Sequence, residues 1–449
     1  VSEVEAKSAP RPDFFWHILE ESLDEAEYLW ARWERSLDSH DLPLQRVAFW
    51  IENRLRGSLD GVRTAGDAAV AAVLEPGLAS DSAGRVAASA YVLASMASAQ
   101  SLDALGRALS SFAGPSLDAV RRGAERSDNP RVVTKLTPLL QNGAPHAQAA
   151  VLDLCSFRAI AAGAPLSALL ESPDPFTRAA AVRAARDVPA LPVAIVNRAL
   201  GETDPHVLVA AIETGLWHGM SSAWELCLAL CSTPPVAAAC RPLLALLAMS
   251  GSQRAERALL TALEHKELQR DAVFALGVWG RVPAIDACLA LMREGRQPRV
   301  AGEAFCAITG LDLAAAGLVV KEPEAPEAPS LEDENLDADL VSTIDEALPQ
   351  PDIEGIAQWW QAHRHEFADK GRYLGGRLVD AAAMQDALLR GPCRRRHEIA
   401  RELAIRSGGA FRVATRAFAH EQERQMERGA AIDRALLSRN PVPGWAPLF

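Results

Sequence analysis

LLESPDPFTRAAAVRAARDVPA (169–190) and ALGETDPHVLVAAIETGLWHG (199–219) are two copies of one plan. Each has an apolar helix end, then a polar turn closing on Asp-Pro (Asp174-Pro175, Asp204-Pro205), then an Ala-rich amphipathic run. Self-similarity at a fixed period of this length marks a stacked repeat array. Working outward, further turns fall near Asp81-Ser82, Gly114-Pro115, Gly143-Ala144-Pro145, Pro234-Pro235, His265-Lys266 and Gln297-Pro298, at a period of about 31 residues. Pro suits the first helical position because the N–H it lacks has no intrahelical acceptor there. Gly163, Gly219, Gly251, Gly280 and Gly310 follow the second helices, where the left-handed conformation ends a helix. One period holds two helices of ten to thirteen residues and two short turns. A hairpin of that kind has one apolar face and buries it only by stacking on its neighbours.

The expected fold is therefore all-α: an α-solenoid of about eight HEAT-like helical hairpins. It carries an N-terminal helical cap and a small helical C-terminal module. Asp81, Asp174 and Asp204 read as helix caps, and Arg178 follows the first Asp-Pro turn as in short HEAT-like repeats, although Leu208 stands there in the next copy. Composition agrees. Hydrophobic residues are 49% of the 449, charged residues 23%, and aromatics only 6%. Ala and Leu dominate, the strongest helix formers, and β-branched and aromatic residues are too sparse for a sheet-rich chain.

The chain divides by composition into five parts. Residues 1–12 are a polar, disordered lead. Residues 13–64 form the helical cap, with Asp13 as its N-cap and Phe15, Ile18, Leu19, Leu23, Ala26, Leu29, Trp30 and Trp33 on one helical face. Trp30, Trp33 and Trp50 are expected to cover the open end of the first repeat. Residues 65–320 hold the repeats. Residues 321–351, KEPEAPEAPSLEDENLDADLVSTIDEALPQP, read as an acidic, Pro-rich, extended linker. From Lys321 to Asp352 there are eleven acids against one lysine, so this segment holds most of the net charge of −12. Residues 352–449 are the C-terminal module; from Asp369 onward it has 15 basic and 9 acidic residues.

Seven Cys, most inside apolar runs, read as reduced thiols acting as small hydrophobes. With no apolar leader and no run of roughly 20 apolar residues, the expected place is the cytoplasm.

Four segments carry a family resemblance: FFWHILEESLDEAEYLWARWE (14–34), LRGSLDGVRTAG (55–66), AFCAITGLDL (304–313) and IAQWWQAHRHEFADKGRYLGG (356–376). Together the chain resembles a group of uncharacterised proteobacterial HEAT-repeat proteins often encoded beside type VI secretion components. The resemblance implies a protein partner, either a secreted effector or a secretion-apparatus component. It assigns no catalytic, cofactor or metal residues.

The residues themselves contain no G-x-S-x-G, H-E-x-x-H, P-loop or C-x-x-C pattern. His363 and His365 are two apart and point to different faces of a helix. Cys393 and His397 share a face but lack a third ligand, and Cys227 and Cys231 lie on an apolar stripe. Candidate partner-binding residues are Trp359, Trp360 and Tyr373, and the basic run Arg394, Arg395 and Arg396. The basic run has no interleaved aromatics, so nucleic acid is not the expected partner; the other readings are a solvated face or pairing with the acidic linker. No cofactor, metal or membrane is expected. The leading reading is a non-enzymatic interaction scaffold, with a partner along the concave face. The alternative is an enzyme or nucleic-acid-processing module using a cleft of the superhelix.

Overall fold

In the computed structural model, residues 15–96, 98–188, 191–233, 238–320 and 343–448 are described below. The fold is all-helical, an α-solenoid of stacked helical hairpins. Each repeat contributes a second helix, and within each of the two compact units described below successive second helices pack on one another. These are α3 (Ala83–Met96), α5 (Gly114–Arg126), α6 (Pro145–Phe157), α8 (Pro175–Ala184), α10 (Pro205–Trp217), α12 (Pro242–Met249), α14 (Gln269–Trp279) and α16 (Pro298–Thr309). The turns of the sequence pattern begin most of them. Asp174 caps α8 by accepting from Thr177 N at 2.7 Å, and Asp204 caps α10 through His206 N and Val207 N. At α3 the cap is Ser82, whose Oγ accepts from Arg85 N at 3.5 Å, not Asp81. Pro234-Pro235 lies outside the described residues. Gly280 (φ +72°) and Gly310 (φ +76°) end α14 and α16 in the left-handed region, as their positions predict.

The first helices are α4 (Ala99–Ser111), α7 (Leu166–Leu169), α9 (Val193–Leu200), α11 (Ser221–Cys231), α13 (Glu256–Leu263) and α15 (Val282–Arg293). They vary far more in length than the second helices.

The chain resolves into two compact units: Val1–Arg32 with Trp50–Leu136, and Trp33–Phe49 with Thr137–Phe449. The first unit joins most of α1 (Trp16–Ser36) to α2 (Asn53–Arg63), α3, α4 and α5. Leu19, Leu23, Ala26, Leu29 and Trp30 are buried as their spacing predicts, and Trp30 lies 6.1 Å from Tyr91. Arg85 ties the start of α3 to Asp24 and Glu27 on α1. Two members of the expected stripe differ: Phe15 is 69% exposed and Ile18 49%. Trp50 is also exposed, so it does not cover a repeat end. Asp13, the expected N-cap, is outside the described residues, as is the lead 1–12.

Residues 352–449 fall in the same compact unit as the later repeats, although Val379, Met384, Leu403, Phe411 and Leu437 also belong to a hydrophobic cluster of C-terminal residues only. α17 (Ile353–His363) packs on α15, and a two-residue hairpin, β1 (Tyr373–Leu374) with β2 (Arg377–Leu378), packs on α16. α18 (Ala381–Arg390) precedes α19 (Cys393–Arg406), which lies against α10 and α12; α20 is Ala419–Ala430. One hydrophobic cluster contains Leu246, Leu276 and Phe305 from the repeats together with Trp360, Tyr373, Ile405 and Trp445. Trp33 joins this unit too, 4.8 Å from Phe418, rather than covering the first repeat. Of the expected linker, 321–342 lies outside the described residues. Residues 343–351 are ordered by pairing: Val320 N donates to Gln350 O at 2.9 Å, and Asp352 N donates to Leu318 O at 2.9 Å.

All seven cysteines are free thiols, six of them buried. Burial pushes the Cys288 thiol up to about 12 and the Cys155 thiol up to about 11. That suits packing groups, not nucleophiles.

Candidate functional site

The basic run at the start of α19 is the densest in the chain. Its helix begins where the backbone of Cys393 donates to Leu42 O and that of Arg394 to Ser39 O. All three arginines then turn inward, with exposures of 4%, 6% and 1% for Arg394, Arg395 and Arg396. Arg394 pairs with Asp345 at 2.7 Å. Arg395 grips Glu303 on α16, donates to Phe274 O at 2.9 Å, and lies 4.2 Å over the Phe274 ring. Gly277 makes this possible, since a Cβ there would meet the guanidinium at 2.4 Å. Arg396 donates to Leu388 O and to Gln422 Oε1. These three residues are therefore unavailable to an external partner or a phosphate. A charge taken out of water needs a fixed opposite charge or acceptor, and the fold supplies one for each.

The same lattice continues along the second-helix row. Arg401 forms a bidentate pair with Glu213 on α10 at 2.8 and 2.9 Å, and Arg186 reaches the same carboxylate at 3.0 Å. Arg412 pairs with Asp187. Arg372 pairs with Glu402 at 2.6 and 2.7 Å, and Arg406 reaches Glu402 at 2.8 Å. Near α1, Asp38 holds Arg416 at 2.7 Å and His397 at 3.3 Å. Within the second unit, α19 thus pairs with the second helices α10, α14 and α16.

Burial alone would raise these carboxyls. At Glu213 the charges of Arg186 and Arg401 outweigh it and hold the group well below the usual range. At Asp38, hydrogen bonds from His397 and Arg416 do the same, and Glu402 is lowered by Arg372 and Arg406. Asp187 goes the other way, because burial outweighs Arg412 there. Depressed folded-state values mean stability that is fully present above the unfolded value, about 4, and lost as pH falls through the folded one. Thermal melts followed by circular dichroism should show a nearly constant midpoint from about pH 5 to 8 and a steep fall below about pH 4. A midpoint unchanged at pH 3 would show that the lattice contributes nothing.

Trp360 and Tyr373 are each 5% exposed. Trp360 Nε1 donates to Asp286 at 2.9 Å and its ring lies between Phe305 and Phe367. The Tyr373 hydroxyl accepts from Ala368 N at 2.7 Å. Trp359 is half-buried, stacked on His363 at 4.3 Å. The aromatic trio expected to form a partner pocket is instead largely core. His397 Nε2 donates to Leu37 O and its Nδ1 hydrogen-bonds Thr415 Oγ1, so both ring nitrogens are engaged and it makes no metal pair with Cys393. Among the described residues no group of three His, Cys, Asp or Glu could hold a metal ion, and no helix is long and apolar enough to cross a membrane.

Two features went unnoticed in the sequence. One is the exposed start of α1. The other is a cavity of about 310 Å³ inside the opening stretch itself, walled by α7, α8, α9 and α10. Leu170, Val182, Ile195 and Val207 give it apolar sides. Its charged groups pair across the repeats: Arg178 with Glu202 at 3.2 Å, and Arg198 with Glu171. Ala199 is buried in its wall, while Ser167 and Ala194 are exposed at its mouth.

No family model matches the chain, and no curated protein matches it. Among solved structures, human deoxyhypusine hydroxylase in complex with glycerol is similar at 17% identity over 64% of this chain and 95% of that one, with a TM-score of 0.22. An engineered protein is similar at 14% identity over 94% and 99%, with a TM-score of 0.23.

Proposed function

We propose that the chain is a non-enzymatic scaffold or adaptor for a protein partner, docking through the start of α1 and not through the second-helix row. The observation that supports this is the continuation of the α1 apolar stripe past Leu19. Phe15 and Ile18, one turn apart, present large apolar side chains to solvent at 69% and 49% exposure. Exposed apolar clusters of this kind mark interaction sites more often than isolated residues do. Glu20 and Glu21 are exposed beside them, so the fitting partner carries apolar anchors with a basic rim. The resemblance stated above suggests that the partner is a secreted effector or a type VI apparatus component, met in the cytoplasm.

The test is a pull-down from native lysate with the full chain and with the Phe15→Ser/Ile18→Asp variant. Each anchor is worth roughly 1.5–3 kcal/mol when buried, so the variant should bind the retained protein at least about 10-fold more weakly, with an unchanged melting midpoint. Equal retention by both proteins would remove α1 as the docking face. Co-purifying nucleic acid with no retained protein would sink the scaffold reading.

A further inference from the structure

We infer that the edge formed by the starts of α6, α8 and α10 is a second docking surface, which takes an extended, proline-rich peptide with an arginine or lysine at every third residue. This goes beyond the α1 reading and stands without it. Every residue involved lies in the second unit.

The sequence sets a turn closing on proline before each of these helices, with Pro145, Pro175 and Pro205 as the first helical residue. The second helical positions are then His146, Phe176 and His206. α6 packs on α8 and α8 on α10, so these positions recur side by side. Two contacts hold the edge together. Thr177 Oγ1 donates to Pro145 O at 2.9 Å, and the rings of Phe176 and His206 meet at 4.8 Å. Phe176 nevertheless keeps 57% exposure, and His206 is exposed beside it. A stacked pair on a rigid edge, unlike a lone exposed side chain, offers a ready face to another molecule.

Charge decides the chemistry of that molecule. The two turns before α8 and α10 carry Glu171, Asp174, Glu202 and Asp204. Arg198 pairs with Glu171 and Arg178 with Glu202. Asp174 caps its helix through Oδ2 alone, and Asp204 through Oδ1 alone. Among the described residues the other oxygen of each accepts no hydrogen bond, and neither carboxylate has a cationic partner. A helix start carries roughly half a positive charge, which a full carboxylate outweighs. The edge is therefore anionic, with an aromatic pair beside two carboxylates. A guanidinium or ammonium group suits both features, because it is drawn to a ring face and pairs with a carboxylate. Polyanionic nucleic acid suits neither.

Spacing decides its shape. Packed helices lie about 8–10 Å apart. A polyproline II strand rises about 3.1 Å per residue with three residues per turn, so every third side chain returns to one face after about 9 Å. One turn of such a strand spans one repeat, and its cationic side chains meet successive turns of the edge. Proline at the intervening positions holds the strand in that form before it binds.

The test titrates the full chain, by fluorescence anisotropy at low salt, with a labelled peptide of four Arg-Pro-Pro units. One control peptide has the same composition with its arginines together at one end, and another has four Glu-Pro-Pro units. Two variants are titrated alongside. Phe176→Ser removes the exposed ring. Asp174→Asn with Asp204→Asn removes both charges and keeps an oxygen that caps a helix equally well. Circular dichroism checks that both fold. Saturable binding of the Arg-Pro-Pro peptide is expected, at least about 5-fold tighter than either control and weakened at least about 5-fold in each variant. The Phe15→Ser/Ile18→Asp variant should bind it as the unaltered chain does, so this surface and the α1 face fail separately. No saturable binding, equal binding of either control, undiminished binding by either edge variant, or a loss in the α1 variant overturns the assignment.

Discussion

Glu402→Ala is expected to lower the free energy of unfolding of the second unit by about 3–5 kcal/mol. Glu402 is 2% exposed and sits between two arginines, Arg372 at 6% and Arg406 at 0%. Among the described residues Glu402 is the one carboxylate that both guanidinium groups pair with, and their remaining acceptors are neutral carbonyls of Trp279, Val278, Arg439 and Ala446. The cost is chiefly that of two buried positive charges left side by side, not the net worth of the pairs. Glu402→Gln keeps an acceptor and the volume but not the charge, so it should fall between the two. Urea unfolding monitored by tryptophan fluorescence measures both, with the slope unchanged. A loss under about 1 kcal/mol for the alanine variant would mean that water reaches the site and screens it as on a surface.

The repeat architecture was readable because its signals are local. Asp174-Pro175 and Asp204-Pro205 act on their own helix starts, and Gly280 and Gly310 act on their own helix ends. A period in such signals survives without knowledge of what packs where. The site residues failed for the opposite reason. Arg394, Arg395 and Arg396 look like a surface cluster because their acceptors, Asp345, Glu303 and Gln422, lie 26 to 92 residues away. Charge itself gave a hint, since an acidic stretch preceded a basic region. The structure uses only Asp345 of that stretch, among the described residues, to bind Arg270 and Arg394. Likewise WWQAHRHEF reads as an aromatic patch, but Trp360 finds Asp286 and Phe305 on the two helices of the last repeat, more than 50 residues away. The cavity was hidden because it is a deficit of volume. Ala199 keeps the helical period intact and says nothing, by itself, about how large its neighbours would have been.

A chain ending at Val320 should not keep the second unit folded. The compositional boundary between the repeats (65–320) and the C-terminal residues (352–449) is one that the packing does not respect. Removing the later part strips Trp360, Phe367, Tyr373, Ile405, Val442 and Trp445 from the same core that holds Leu246, Leu276 and Phe305. At roughly 1.5–3 kcal/mol for each large buried side chain, the loss is about 9–18 kcal/mol. That is as large as the entire stability of an ordinary domain. Electrostatics adds to it, because Glu213 loses Arg401 and Glu303 loses Arg395. The truncated chain should therefore show reduced helicity, bind an apolar dye and be cut rapidly within 205–309 by limited proteolysis. Supplying 343–449 in trans should restore protection, since the missing contacts are noncovalent. A 1–320 chain that instead melts cooperatively, binds no dye and resists protease would identify 343–449 as a detachable cover. The second-helix row, with Glu213, Asp187 and Glu303 uncovered, would then be the binding face, and its partner would be an arginine-rich helix resembling α19 in charge spacing.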